Sequence, residues 1–169
     1  MSDFRKQLKK LNACGDAVKW VGDRDMQTAW AECERGDWML WLAAKIGVDR
    51  KLLVLAACDC AEPALAYVRE GEDRPRIAIE TARLWCEGKA TNEEVRSAAV
   101  AAYAASTAAS TAAYAAASTA AYASAVAAVA AAAAADAAAH SASLKLSANK
   151  VRGRIPVEVI AALQESSDE

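Results

Sequence analysis

The sequence predicts an all-α protein, a compact multi-helix domain in which a long alanine-rich helix or antiparallel helix pair packs against N-terminal helices. Three observations carry the prediction. The chain of 169 residues holds 3 prolines, Pro63, Pro75 and Pro156, and strand-like alternation of apolar and polar residues is absent. Helix caps and glycine stops recur through the first half. The third observation is the tract Ala101 to His140, which is mostly alanine, the strongest helix former. Its larger residues, among them Tyr103, Thr107, Ser110, Tyr114, Ser118, Tyr122, Val126, Val129, Asp136 and His140, are mostly three or four apart. A spacing of about 3.67 residues per turn is a straight-helix stripe, which a disordered tail does not need.

The elements follow in order. "DRDMQTAWAECER" is an amphipathic helix with Asp23 or Asp25 at its start and Gly36 after its end. Asp37 is then expected to cap "WMLWLAAKIG", a helix apolar nearly all round and therefore central, which Gly47 terminates. Asp49 caps "DRKLLVLAACDCAEPALAYV", with a break expected at Pro63. "GEDRPRIAIETARLWCEG" is a helix with Pro75 in its first turn and Gly88 beyond its end, and Ile77, Thr81, Leu84 and Trp85 form its expected inner stripe. Thr91 and Glu94 have the capping-box spacing and start the alanine-rich helix. Gly153 is expected to stop a helix, and Pro156 to open a last short one before a frayed end.

Residues 1–169 read as a single domain. Its parts are a charged, tryptophan-rich stretch (1–90), the alanine-rich stretch (91–148) and a short C-terminal helix with its end (149–169). About 50 helical residues would span about 75 Å, against a radius of gyration of about 15 Å for a globule of this size. The tract is therefore either a projecting rod or a helix broken near Ser118–Ser124 or Asp136–Ser143, where serine and aspartate can cap a new start. A membrane span is not expected, because Asp136 interrupts a short, weakly apolar run. An ice-binding helix is disfavoured too, since Thr107, Thr111 and Thr119 lie four and eight apart rather than eleven.

Net charge of -2 implies no general affinity for nucleic acid or anionic membranes. Five cysteines at irregular spacing with one histidine make no zinc framework, so no metal or cofactor is expected. They read as buried free thiols of a reducing, cytoplasmic protein, a location also favoured by a first segment without an apolar h-region.

"ECERGDW" gathers Glu32, Glu34 and Asp37 around Arg35. A catalytic carboxylate there would need a dry pocket and a raised pKa, and a solvated turn or a binding surface is the better reading. Asp59 and Glu62 share one face of an apolar helix, and one or the other should pair with an arginine among Arg74, Arg76 and Arg83. Asp136 and His140 are four apart and read as a local helix pair. There is no phosphate loop, and no catalytic set is expected. Of Trp20, Trp30, Trp38, Trp41 and Trp85, most read as core, with one or two as interface anchors.

Three segments together resemble the all-helical immunity-protein family associated with bacterial polymorphic toxin systems. They are "AWAECERGDWMLWLAAKIGVDRKLLVLAACDCAEPAL", "GEDRPRIAIETARLWCEG" followed by "ATNEEVRSAA", and "VRGRIPVEVIAAL". The resemblance implies an α-helical cytosolic protein that binds and neutralises a toxin stoichiometrically, and it supplies no catalytic residues. "ECERGDW" matches the family pattern best. Partner contacts are therefore expected at Glu32, Glu34, Arg35 and Asp37, around a partly exposed Trp30 or Trp38. The pure alanine run Ala130 to Ala135 departs from the pattern. A phage-borne copy that blocks a host defence protein, or sequesters its signalling nucleotide, is the alternative, and an enzyme is disfavoured. The oligomeric state is not assigned by the sequence.

Overall fold

The computed structural model describes residues 2–104 and 142–165. Every regular element among them is helical, and the fold is all-α. The order is α1 (Asp3–Lys10), α2 (Gly15–Val21), α3 (Met26–Glu32), α4 (Gly36–Lys45), α5 (Arg50–Ala61), a 3-10 turn (Glu62–Tyr67), α6 (Arg74–Cys86), α7 (92–104), α8 (142–154) and α9 (Val157–Glu165). The chain separates into two compact units, one of Met1–Cys60 with Leu144–Glu169, the other of Ala61–Ser143. The alanine tract beyond 104, with its stripe, the Ser118–Ser124 break and the Asp136–His140 pair, lies outside the described residues.

In the first unit, α1 starts at Ser2, whose hydroxyl accepts from the Arg5 amide, and buries Phe4 and Leu8 one turn apart. Asn12 takes a left-handed φ of 60° and turns the chain into α2, which packs on α1. Asp25 caps α3 by accepting from the Thr28 amide at 2.7 Å, as its position predicts. Gly47 ends α4 with φ 88°, and Asp49 caps α5 through the Lys51 and Leu52 amides. The core joins Phe4, Val21, Trp30, Met39 and Ala43 to Val151, Ile155 and Ile160 from the far end of the chain. Of these, α4 supplies Met39 and Ala43, so its expected central place holds.

Three local expectations are corrected. Helix α3 stops at Glu32, and Gly36 opens α4 rather than closing α3. Asp37 does not cap α4: it lies in the first turn, held by Arg35. Gly153 does not stop a helix, since α8 runs to residue 154 and Gly153 has no left-handed φ. The reason for Gly36 is contact rather than conformation. A Cβ there would lie 2.7 Å from the Ser147 backbone and side chain and 2.8 Å from the Ala148 amide nitrogen. Asp59 pairs with Arg154 at 2.6 Å, so of the two carboxylates it is Glu62 that meets an arginine of the expected group.

In the second unit Glu62 does meet Arg83, at 3.0 Å, but the pair is half exposed. Its removal should then cost about 1 kcal/mol or less, not the several of a buried pair. Pro63 ends α5 and tightens the chain into the 3-10 turn, which packs on α6. Pro75 sits in the first turn of α6, and Gly88 follows its end with φ 75°. Thr91 and Glu94 form the reciprocal capping box, the Thr91 amide donating to Glu94 and the Glu94 amide to Thr91 Oγ1. The expected inner stripe of α6 is not buried: Ile77 is 49% and Leu84 42% exposed.

Two glycines therefore predict opposite outcomes. Gly36→Ala forces α4 and α8 apart and should destabilise by about 1–3 kcal/mol. Gly153→Ala meets open space within a helix and should be neutral or stabilise by up to about 1 kcal/mol. Urea unfolding of both variants checks the pair of signs.

Candidate functional site

The turn from α3 to α4 carries most of the site. Residues 33–35 are extended, so the last carbonyls of α3 lose their helical partners. Arg152, on α8, supplies them: its Nη1 donates to the carbonyls of Trp30 at 3.1 Å and Cys33 at 2.7 Å. Asn149 Oδ1 accepts from Nη2 at 2.6 Å and fixes the guanidinium. The Cys33 thiol donates to the Arg35 carbonyl at 3.5 Å, and burial pushes its pKa up, keeping it a thiol at neutral pH.

Around this turn the charged residues are matched within the chain. Arg35 donates two bonds to Asp37, at 2.9 and 2.7 Å, and this bidentate pair holds the Asp37 carboxyl below its ordinary range. Glu32 pairs with Arg24 at 2.7 Å and Glu34 with Lys145 at 3.1 Å. The guanidinium of Arg35 lies 4.4 Å from the Trp38 ring and that of Arg24 4.9 Å from Trp20. The two rings meet edge to face, with centroids 6.2 Å apart.

Beneath the turn lies a cavity of about 430 Å³ lined by α1, α2, α3 and α4. Its walls are mainly apolar, with Phe4, Trp20, Trp30, Trp38, Met39 and Trp41 the largest side chains, and its polar members are Asn12, Cys14, Cys33 and Asp37. Trp30 was expected at the surface if it served as an anchor. It is 3% exposed, an interior residue, and its indole Nε1 is buried without a hydrogen-bond partner. Trp38 is half-buried at the rim. The structure thus brings Asp37 and Trp38 to one rim and places Trp30 inside. It sets Glu32, Glu34 and Arg35 in the turn outside the cavity lining.

Sequence reasoning missed Arg152 and the cavity. No local spacing signals either, because both arise from residues far apart in the chain. None of the five cysteines is in a disulfide; Cys33 and Cys58 are buried as expected, but Cys60 and Cys86 are half-buried and Cys14 is exposed. Among the described residues no three His, Cys, Asp or Glu side chains converge to hold a metal ion, and no helix is long and apolar enough to cross a membrane.

Fold and site together define an all-helical protein with an aromatic hollow under a turn of paired charges. The chain belongs to the family described as "Imm-5 like putative immunity protein", whose match spans residues 47–153. No curated protein and no solved structure matches the chain. The match begins after "ECERGDW", so the stretch expected to carry the family pattern best falls outside it. What the family match covers is α5 through most of α8, including Arg152.

Arg152→Ala leaves the end of α3 with buried carbonyls unmatched and should cost about 2–3 kcal/mol. Arg152→Lys, without the planar fork, should recover only part. Chemical denaturation of the two variants measures both.

Proposed function

We propose that the protein is a non-catalytic immunity protein that neutralises a toxin by stoichiometric binding, with the turn between α3 and α4 as its contact surface. Membership of the immunity family supports the immunity role. The observation that carries the surface is the fixed turn. Glu32, Glu34, Arg35 and Asp37 stand exposed or half-exposed around Trp38, on backbone clasped by Arg152. Such a surface offers charges of both signs around an aromatic anchor without having to order itself on binding. Trp30, being interior, supports the surface and does not touch the partner. The partner is a protein, and the binding occurs in the cytoplasm.

Each of the acidic residues sits in an exposed pair that contributes about 0–1 kcal/mol to folding. Charge reversal therefore separates binding from stability. Glu34→Lys with Asp37→Lys should weaken binding to the partner recovered from the native host by tenfold or more. The melting temperature should stay within about 2–4 °C of the parent. Titration calorimetry reads affinity and ratio, and one partner per protein is expected. Unchanged affinity would move the contact surface elsewhere. Protection that persists far below one molecule per toxin would show turnover and overturn the binding mechanism.

A further inference from the structure

Charge is unevenly placed in the first unit. The helix pair α1–α2 holds Arg5, Lys6, Lys9, Lys10 and Lys19 against two carboxylates, Asp3 and Asp16, in a chain whose net charge is -2. The pair carries a surplus of three positive charges, and the rest of the chain is net negative. A cation in the last turn favours a helix by about 0.3–1 kcal/mol. That accounts for Lys9 or Lys10 in α1 and for Lys19 in α2, but not for the further cations.

Packing decides which way these charges face. Phe4 and Leu8 are buried in the core, so α1 turns Lys6, Lys9 and Lys10 to solvent, and Lys19 is exposed on α2. Arg5, Lys9 and Lys19 line one groove with Ala13, Gly15 and Val18, and no carboxylate lines it. Asp3 is matched to Lys6 at 2.8 Å, and Asp16 stands exposed outside the groove. None of the ion pairs among the described residues uses Lys10 or Lys19.

The same face selects the kind of anion. A membrane-surface helix needs an apolar face to insert, and that of α1 is already in the core. A nucleic-acid strand carries a phosphate about every 3.4 Å, whereas α1, with 8 residues, spans about 12 Å. A strand would overrun the patch onto the net-negative remainder. The cations facing solvent are lysines, point charges without the fork that arginine offers to phosphate. A short cluster of carboxylates on a protein fits the patch.

We propose that the lysines of α1 and α2 dock an acidic protein segment, which on the immunity reading above belongs to the toxin. The surface rests on that reading only for whose segment it is.

The probe is acetyl-hexaglutamate amide, titrated into the assigned, 15N-labelled full-length protein at low and at physiological salt. Saturable amide shifts should centre on α1 and α2, and affinity should fall about tenfold at the higher salt. Lys10→Gln with Lys19→Gln should weaken the peptide about fivefold. Lys89→Gln with Lys150→Gln makes the same change of net charge elsewhere and should stay within about twofold. No saturable shift at millimolar peptide, or equal weakening by the two double variants, would overturn the patch. Tighter binding of an oligothymidylate of equal charge would overturn its assignment to a protein. Against the partner recovered from the native host, the Lys10 and Lys19 variant should associate about fivefold more slowly, with dissociation within about twofold. An unchanged association rate would remove the toxin as the acidic partner. Whether that toxin binds at all is read separately, with the Glu34 and Asp37 variants.

Discussion

The first unit depends on one close crossing, where α8 lies against the turn between α3 and α4. Gly36 has no side chain, and its backbone meets Ser147 and Ala148 at a distance that no Cβ could share. Little more than one turn further along α8, Arg152 reaches the carbonyls that the broken end of α3 leaves open. The two contacts require each other. Without the glycine the helices stand too far apart for the guanidinium to reach, and without the arginine the close approach would bury unmatched carbonyls. The Cys60 thiol, which donates to the Ser147 carbonyl at 3.5 Å across 87 residues of sequence, lies on the same crossing. Closing that separation costs only about 2 kcal/mol more than closing a ten-residue loop. A part-buried charged hydrogen-bond set and a shared core can offset that, which is why the two ends of the chain can build one core.

The crossing also explains how a cavity and half-exposed indoles persist beside it. Helix α4 turns Met39, Leu42 and Ala43 inward, leaving Trp38 and Trp41 to the flanks. Each flanking ring carries a cation: Arg35 over Trp38, Arg24 over Trp20, and Lys45 6.0 Å from Trp41. A cation over an exposed ring contributes about 0.5–1 kcal/mol, enough to hold the indole upright instead of letting it fall into the space below. The backbone under Trp38 cannot close that space either, because the start of α4 is held by α8.

What the sequence made legible divides along the same line. Asp25, Asp49, Gly47, Gly88 and the Thr91–Glu94 box were readable because a cap or a stop acts within four residues. The all-α class followed from composition and helical spacing along the chain, and an arginine partner for Glu62 from the charges on the next helix, where Arg83 meets it across 21 residues. Gly36 looked like a stop because glycine after a helix usually is one. Its contact partners lie more than a hundred residues away, and no local pattern carries them. Asp37 looked like a cap for the same reason, until Arg35 two residues earlier claimed both its oxygens. The stripe of Ile77 and Leu84 had helical spacing, but spacing places residues on a face without saying what covers it. In the candidate site, the turn was legible as a cluster of charge. Trp30's interior position, Arg152's reach and the cavity were not, since each depends on packing across the unit.

Charge pairing within the turn bears on how a partner could be held there. Arg35 with Asp37, Arg24 with Glu32 and Lys145 with Glu34 are each already matched. A docking protein would exchange one ion pair for another and gain little net Coulomb energy from doing so. Affinity would then have to come from covering Trp38 and Trp41, each partly open to solvent, in the way aromatic anchors dominate other interfaces. The charges would set orientation and the rate of encounter, and would penalise a partner whose pattern failed to match. Charges on such a turn can change with little effect on folding, while the crossing beneath it stays fixed.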